Sequence, residues 1–177
     1  RTLIDLSGSP RIVSSEELRQ SVHAVATALR AAGTLPRTSV GLLAERSAAY
    51  IAAQLAIWQL GAAILPLDPA APRARLLWQI DHARPSAILT DAVEPPPVTC
   101  AVVSLAGTLL RAGTQAAFQL PEGVSHVLFT SGSTGTPKAV LGSRRGLVAR
   151  CRWMWGAYPF AGRRRPGGGG RRPGNGG

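Results

Sequence analysis

Apolar residues in this chain fall into short blocks separated by polar turns, and their spacing changes from block to block. Residues 2–6 and 11–13 read as two short strands around a turn at residues 8–10. Leu18, Val22, Val25 and Leu29 then recur at helical spacing. Ser14 and Glu17 precede them in a capping-box pattern, and Gly33 follows as a stop. Residues 40–43 are an apolar run too short for a helix, which predicts a buried strand. Ser47 is placed to cap a second helix. Its Tyr50, Ile51, Leu55, Ile57 and Trp58 leave little polar face, so burial is expected, and Gly61 closes it.

The same alternation continues downstream. Residues 62–67 form a strand closed by Pro66 and Asp68-Pro69, and Pro72 opens a helix carrying Leu76, Leu77 and Ile80. Residues 87–89 are a strand, 94–97 a loop and 98–103 a strand, while 105–119 suggest a short helix and a loop. Residues 124–129 form a strand, and 139–141 a returning one. Ser143 caps a last helix with Leu147, Val148, Cys151, Met154, Trp155 and Tyr158 on one face. That face, with Trp153, is expected to be core, with some of it left exposed where the rest of the domain is missing, and Cys151 is read as an inert small hydrophobe within it. Apolar strands alternating with helices predict an α/β fold, a mostly parallel sheet flanked by helices and joined by right-handed crossovers.

Composition narrows the class. The 177 residues suit one domain, 45% of them are hydrophobic and 16% charged, so a packed core is expected. No apolar run reaches the roughly 18 residues of a membrane helix, and residues 1–10 show no secretory signal. Cys100 and Cys151 are far apart and His23, His82 and His126 are scattered, which disfavours a metal site and suggests a reducing, cytoplasmic setting.

Charge is uneven. Residues 1–122 hold ten arginines against nine carboxylates, whereas residues 123–177 hold nine arginines, one lysine and no carboxylate. Residues 161–177 carry no apolar side chain after Ala161 and read as a disordered Arg/Gly-rich tail after a domain spanning 1–160. Clustered arginine attracts nucleic-acid phosphates. The tail lacks the aromatics on which bases stack, so nucleic acid is disfavoured as a partner.

The densest chemistry lies at 130–138, Thr-Ser-Gly-Ser-Thr-Gly-Thr-Pro-Lys. A strand delivers the chain into residues small enough for the backbone to turn and approach a ligand. Successive amide groups in such a turn make an anion-binding concavity. The hydroxyls of Thr130, Ser131, Ser133 and Thr134 add donors, and Lys138, the only lysine in the chain, adds a cation. A flexible Gly/Ser connector is the alternative; the apolar strand in front and the placement of the sole lysine count against it. The loop is not a Walker A, since Pro137 precedes the lysine and Ala139-Val140 come after it. His126, just upstream, reads as a hydrogen-bonded structural histidine, and Arg144 and Arg145 as solvated residues at a helix start.

This nonapeptide closely resembles the phosphate-binding signature of the adenylate-forming superfamily, which includes acyl-CoA synthetases, luciferases and nonribosomal-peptide adenylation domains. Residues 59–69, Gln-Leu-Gly-Ala-Ala-Ile-Leu-Pro-Leu-Asp-Pro, resemble that family's KAGAAYVPLDP segment. Residues 73–90 resemble the family's next stretch of chain, and residues 12–29 its TYxEL helix. The wording at Leu67-Asp68-Pro69 leans toward amino-acid-activating members.

The resemblance implies ATP and Mg²⁺ as cofactors, a carboxylic or amino acid substrate, and a thiol acceptor, either CoA or a phosphopantetheine carrier. It implies that Thr130, Ser131, Gly132, Ser133, Thr134, Gly135 and Lys138 bind the ATP phosphates. Ala139 stands where the family has glycine. No Asp or Glu follows Glu122 and no lysine besides Lys138 is present, so no magnesium ligand or catalytic residue can be assigned. The expectation is the N-terminal portion of an adenylation domain, truncated after the phosphate loop and inactive as an isolated fragment. The alternative function is a non-catalytic nucleotide- or nucleic-acid-binding protein.

Overall fold

The computed structural model describes residues 2–5, 11–130 and 137–158. The turn at 8–10, the loop residues Ser131 to Gly135 and the 161–177 tail lie outside the described residues. In chain order the elements are β1 (Thr2–Asp5), β2 (Arg11–Ser14), α1 (Ser15–Ala31), β3 (Ser39–Leu43), α2 (Ala48–Gln59), β4 (Ala63–Leu67), α3 (Arg73–Ala83), β5 (Ala87–Thr90), β6 (Ala101–Ser104), β7 (Leu109–Arg111), β8 (Val124–Thr130), β9 (Lys138–Ser143) and α4 (Arg144–Ala157).

Both early helices start where their caps place them. Ser14 Oγ accepts from the Glu17 amide at 3.1 Å while the Glu17 carboxylate accepts from the Ser14 amide at 2.7 Å, so two otherwise orphaned donors at the start of α1 are satisfied reciprocally. Ser47 Oγ accepts from the Tyr50 amide at 3.1 Å and starts α2. Gly33 and Gly61 take the left-handed conformation just past the two helix ends.

β1 and β2 pair antiparallel as a separate two-stranded sheet. The main sheet has the order β7-β6-β5-β3-β4-β8-β9. Its five inner strands, from β6 to β8, are mutually parallel. At the margins β7 and β9 run antiparallel to their neighbours, so the sheet is mixed at both ends.

Alternation along the inner strands feeds two cores. Val40, Leu42, Ile64, Ala87, Leu89 and Val103 face α1 and α2, where Val25, Leu29, Ala53, Ala56 and Ile57 meet them. Leu43, Leu65, Leu67, Ile88 and Val127 face α3 and its Leu76 and Ile80. Strands buried on both faces carry near-continuous apolar runs, which is the pattern seen at residues 40–43. α2 is less enclosed than its composition suggests. Ala48, Ala52, Ala53, Ala56 and Ile57 are buried, but Ala49, Tyr50, Ile51 and Trp58 are half-buried and Leu55 is exposed.

Two expectations are corrected. Residues 105–119 contain no helix. Instead β7 turns back antiparallel on β6, through a turn whose Gly107 has φ +83°. A β-carbon at Gly107 would lie 2.7 Å from the Ala24 carbonyl carbon of α1, so the close approach of this turn to α1 requires glycine. The second correction concerns α4. Its helix forms where Ser143 starts it, yet none of its residues is buried, and Trp153, Met154, Trp155 and Tyr158 are exposed. Cys151 is exposed as well, not packed within a core. The apolar spacing there marks a helical face, but no described element covers it. A smaller adjustment is at residues 98–103, where the strand begins only at Ala101.

Candidate functional site

The nonapeptide bridges the two strands of an antiparallel hairpin. Thr130 is the last residue of β8, Lys138 is the first of β9, and the two stand opposite each other in the ladder. Thr130 Oγ1 lies 3.5 Å from the Lys138 carbonyl oxygen, a long contact that leaves the hydroxyl free to bond elsewhere. Both residues are exposed and Pro137 is half-buried between the loop and β9. Of the seven expected phosphate-binding residues, Thr130 and Lys138 are therefore brought together, and Ser131, Gly132, Ser133, Thr134 and Gly135 lie outside the described residues.

β8 runs parallel to β4, so its Thr130 end shares the edge where β3, β4 and β5 terminate. In open parallel sheets ligands collect at the carboxyl ends of the strands. His126 stands opposite Ile64; four residues further on, β8 ends at Thr130, and Asp68 comes just past the end of β4. At this edge Asp68 holds its own loop, accepting from the Ala70 amide at 2.9 Å, while Asp91 after β5 ties down the β3–α2 loop by accepting from the Glu45 amide at 3.3 Å. Among the described residues no group of three or more His, Cys, Asp or Glu side chains is placed to hold a metal ion. A threonine and a lysine at facing ladder positions suit a phosphate; nothing described provides a carboxylate set for magnesium.

The strand leading into the loop is gripped from both faces. On the α3 side, Phe129 meets Trp78 edge to face with ring centroids 5.3 Å apart, and Trp78 stacks on His82 at 3.9 Å. On the α2 side, the Trp58 indole donates to the Ser125 carbonyl at 3.0 Å. Sequence reasoning assigned Trp58 to packing alone, and its only available signal was a polar Ser125-His126 pair inside an otherwise apolar strand. His126 is hydrogen-bonded as expected, 2.9 Å from Ser125 Oγ. Arg144 and Arg145 open α4 and are exposed, as read from the sequence.

The two thiols differ sharply. Burial pushes the Cys100 thiol up to about 11, against smaller lowering effects from a backbone hydrogen bond and Arg111. A raised thiol value in the folded chain contributes stability at neutral pH that is lost as pH climbs toward 11. Because the thiolate is the nucleophile, an aromatic disulfide reagent at pH 8 is expected to label the exposed Cys151 promptly. Cys100 should react only on unfolding, so rapid release from both thiols in the native chain would contradict its burial.

The profile of the AMP-binding enzyme family matches residues 2–166. The chain belongs to that family. Enterobactin synthase component F of Escherichia coli K12 is 33% identical over 162 residues, covering 89% of this chain and 12% of that protein. The Klebsiella oxytoca NpsA N-terminal subdomain, solved with 3-hydroxybenzoyl-AMSN, matches with a TM-score of 0.62 and 26% identity over 78% of this chain and 36% of that one. A four-domain nonribosomal peptide synthetase bound to AMP and glycine matches with a TM-score of 0.66 and 30% identity, over 82% of this chain and 11% of that one. The fold is thus that of the N-terminal part of an adenylate-forming domain, and the chain spans a minor share of the length of the relatives it matches. Among the described residues, no helix is long and apolar enough to cross a membrane.

Proposed function

We propose that this chain is the ATP-phosphate-holding part of a carboxylate-activating ligase of the nonribosomal-peptide type. The observation that carries the reading is the placement of Thr130 opposite Lys138 at the carboxyl edge of a parallel sheet. Between them lie the residues whose amides and hydroxyls suit an anion. In the reaction proposed, a carboxylate oxygen attacks the α-phosphorus of ATP, the acyl adenylate forms and pyrophosphate leaves. A thiol on CoA or a phosphopantetheine carrier then attacks the acyl carbon and AMP departs. The substrate class is an amino or aryl carboxylic acid, in keeping with the relatives.

Thr130, Ser131, Gly132, Ser133, Thr134, Gly135 and Lys138 hold the phosphates in this scheme. Their work is to fix the leaving pyrophosphate and spread its developing charge over donors already in place. No residue of this scheme is assigned to magnesium, which would supply charge neutralisation at the phosphates. The sequence of this chain contains no carboxylate after Glu122 and one lysine. None of its residues is therefore assigned a catalytic role in this scheme, which gives them the holding of the nucleotide phosphates alone.

A second reading has one observation in its favour. α4 exposes Arg144, Arg145, Arg150 and Arg152 beside Trp153, Trp155 and Tyr158, a mixture of cations and aromatic faces that single-stranded nucleic acid can use. One set of titrations separates the two. The 177-residue chain is expected to bind ATP at physiological salt, to show no carboxylate-dependent pyrophosphate exchange, and to show no sequence-independent RNA binding that steepens as salt falls. RNA binding without ATP binding would reverse the assignment.

A further inference from the structure

Ser125 in β8 is fully buried and sits at a junction. Its backbone carbonyl accepts from the Trp58 indole of α2, and its hydroxyl lies 2.9 Å from His126 Nδ1 and 3.1 Å from the Gly142 carbonyl oxygen of β9. A serine hydroxyl has one proton to give and lone pairs with which to accept. The Gly142 carbonyl can only accept, so the hydroxyl proton serves it. His126 must then donate from Nδ1 into Ser125 Oγ. The opposite arrangement spends the single hydroxyl proton on the ring and leaves the carbonyl of the half-buried Gly142 without this donor, the less favourable outcome.

Gly142 supplies the other half. A β-carbon built there would fall inside the His126 imidazole, so the ring occupies the space that a side chain at 142 would fill. This contact lies where the β8–β9 ladder shifts register, between Val124 and His126. It also lies where β8 joins the parallel sheet, since His126 pairs with Ile64 of β4. From there the ladder runs without further shift through Leu128 and Val140 to Thr130 and Lys138. A slip of one residue would turn every side chain of one strand to the other face and separate the Thr130 hydroxyl from the lysine.

We infer that Trp58, Ser125, His126 and Gly142 form a clamp that fixes the register of the β8–β9 hairpin and so aims the phosphate loop. They are positioning residues, and the inference rests on the reading of residues 130–138 as that loop. The clamp has a signature of its own: the neutral His126 ring carries its proton on Nδ1 and leaves Nε2 bare against Gly142.

The test uses the full chain with ¹⁵N-labelled histidine. Long-range proton–nitrogen NMR is expected to show a protonated Nδ1 and an unprotonated Nε2 on neutral His126. Ser125→Ala should abolish that preference. It should also raise amide exchange at 127–129 and 139–141 by about tenfold, the scale of one lost buried hydrogen bond, while β3 amides stay protected. Gly142→Ala should disturb the same amides more strongly, and adding His126→Ala should restore them by vacating the space. ATP affinity should fall with hairpin protection in the single variants.

A wild-type ring protonated on Nε2, or hairpin exchange indifferent to Ser125→Ala, would overturn the clamp. The tautomer is read on the unsubstituted chain, so it decides the matter even where a variant fails to fold. Tautomer and exchange are both read without nucleotide, so an unmodified chain that fails to bind ATP sinks the phosphate-loop reading alone.

Discussion

Lys138→Met is expected to weaken ATP binding by about 10- to 100-fold, the value of a charge-assisted hydrogen bond to a phosphate oxygen. Methionine keeps most of the length and apolar stem of lysine and removes the ammonium. Lys138 is exposed at the first position of β9, and the described residues show no ion pair to it, so folding should be nearly unaffected. The loss should be larger for ATP than for AMP, because the proposed contacts reach the β- and γ-phosphates. Isothermal titration of both nucleotides, with thermal unfolding as the control, checks the difference. Equal ATP affinity in the two proteins would remove Lys138 from the site.

The second large effect lies in the core. Leu29→Ala is expected to cost about 2–5 kcal/mol of folding stability, the range for emptying a buried leucine site. Leu29 is fully buried where α1 meets α2 and the β3–β5 side of the sheet. Leu55, on the outward face of α2, keeps 39% of its surface in solvent. Leu55→Ala should therefore cost under about 1 kcal/mol, since much of what it loses was already wet. Urea unfolding of both variants compares them under the same denatured-state reference. Equal losses would mean that α1 does not pack as described. A domain of this size holds only about 5–15 kcal/mol in total, so Leu29→Ala alone would remove a large share of it.

Much of this fold is legible in the sequence because the signals are local. Ser14 and Glu17 mark the start of α1 whatever α1 later touches, and the short apolar runs at β3, β4 and β5 are too brief for helices. What escapes is decided by distant partners. β7 has three exposed residues and owes its existence to β6, which it meets antiparallel across an irregular register. Nothing in Leu109-Leu110-Arg111 advertises that pairing. α4 shows the converse: its periodicity specifies the helix faithfully and is silent about whether anything lies against the apolar face.

The candidate site divides the same way. The nine residues from Thr130 to Lys138 announce phosphate chemistry by their composition, and the hairpin that holds them is readable from the strands on either side. The Ser125, His126 and Gly142 arrangement is invisible beforehand. It depends on a register shift that brings a ring in β8 over a missing side chain in β9. Trp58 joins it from 67 positions away.

β9 closes the described sheet with one side of its backbone unclaimed, while Val140 and Leu141 stand exposed on its opposite faces and the bare flank of α4 lies alongside. A strand margin of that kind is adhesive: it offers amides and carbonyls to any extended segment that drifts past, and greasy side chains to reward the encounter. For the 177 residues alone, light scattering is therefore expected to climb with protein concentration, and dilution to suppress it.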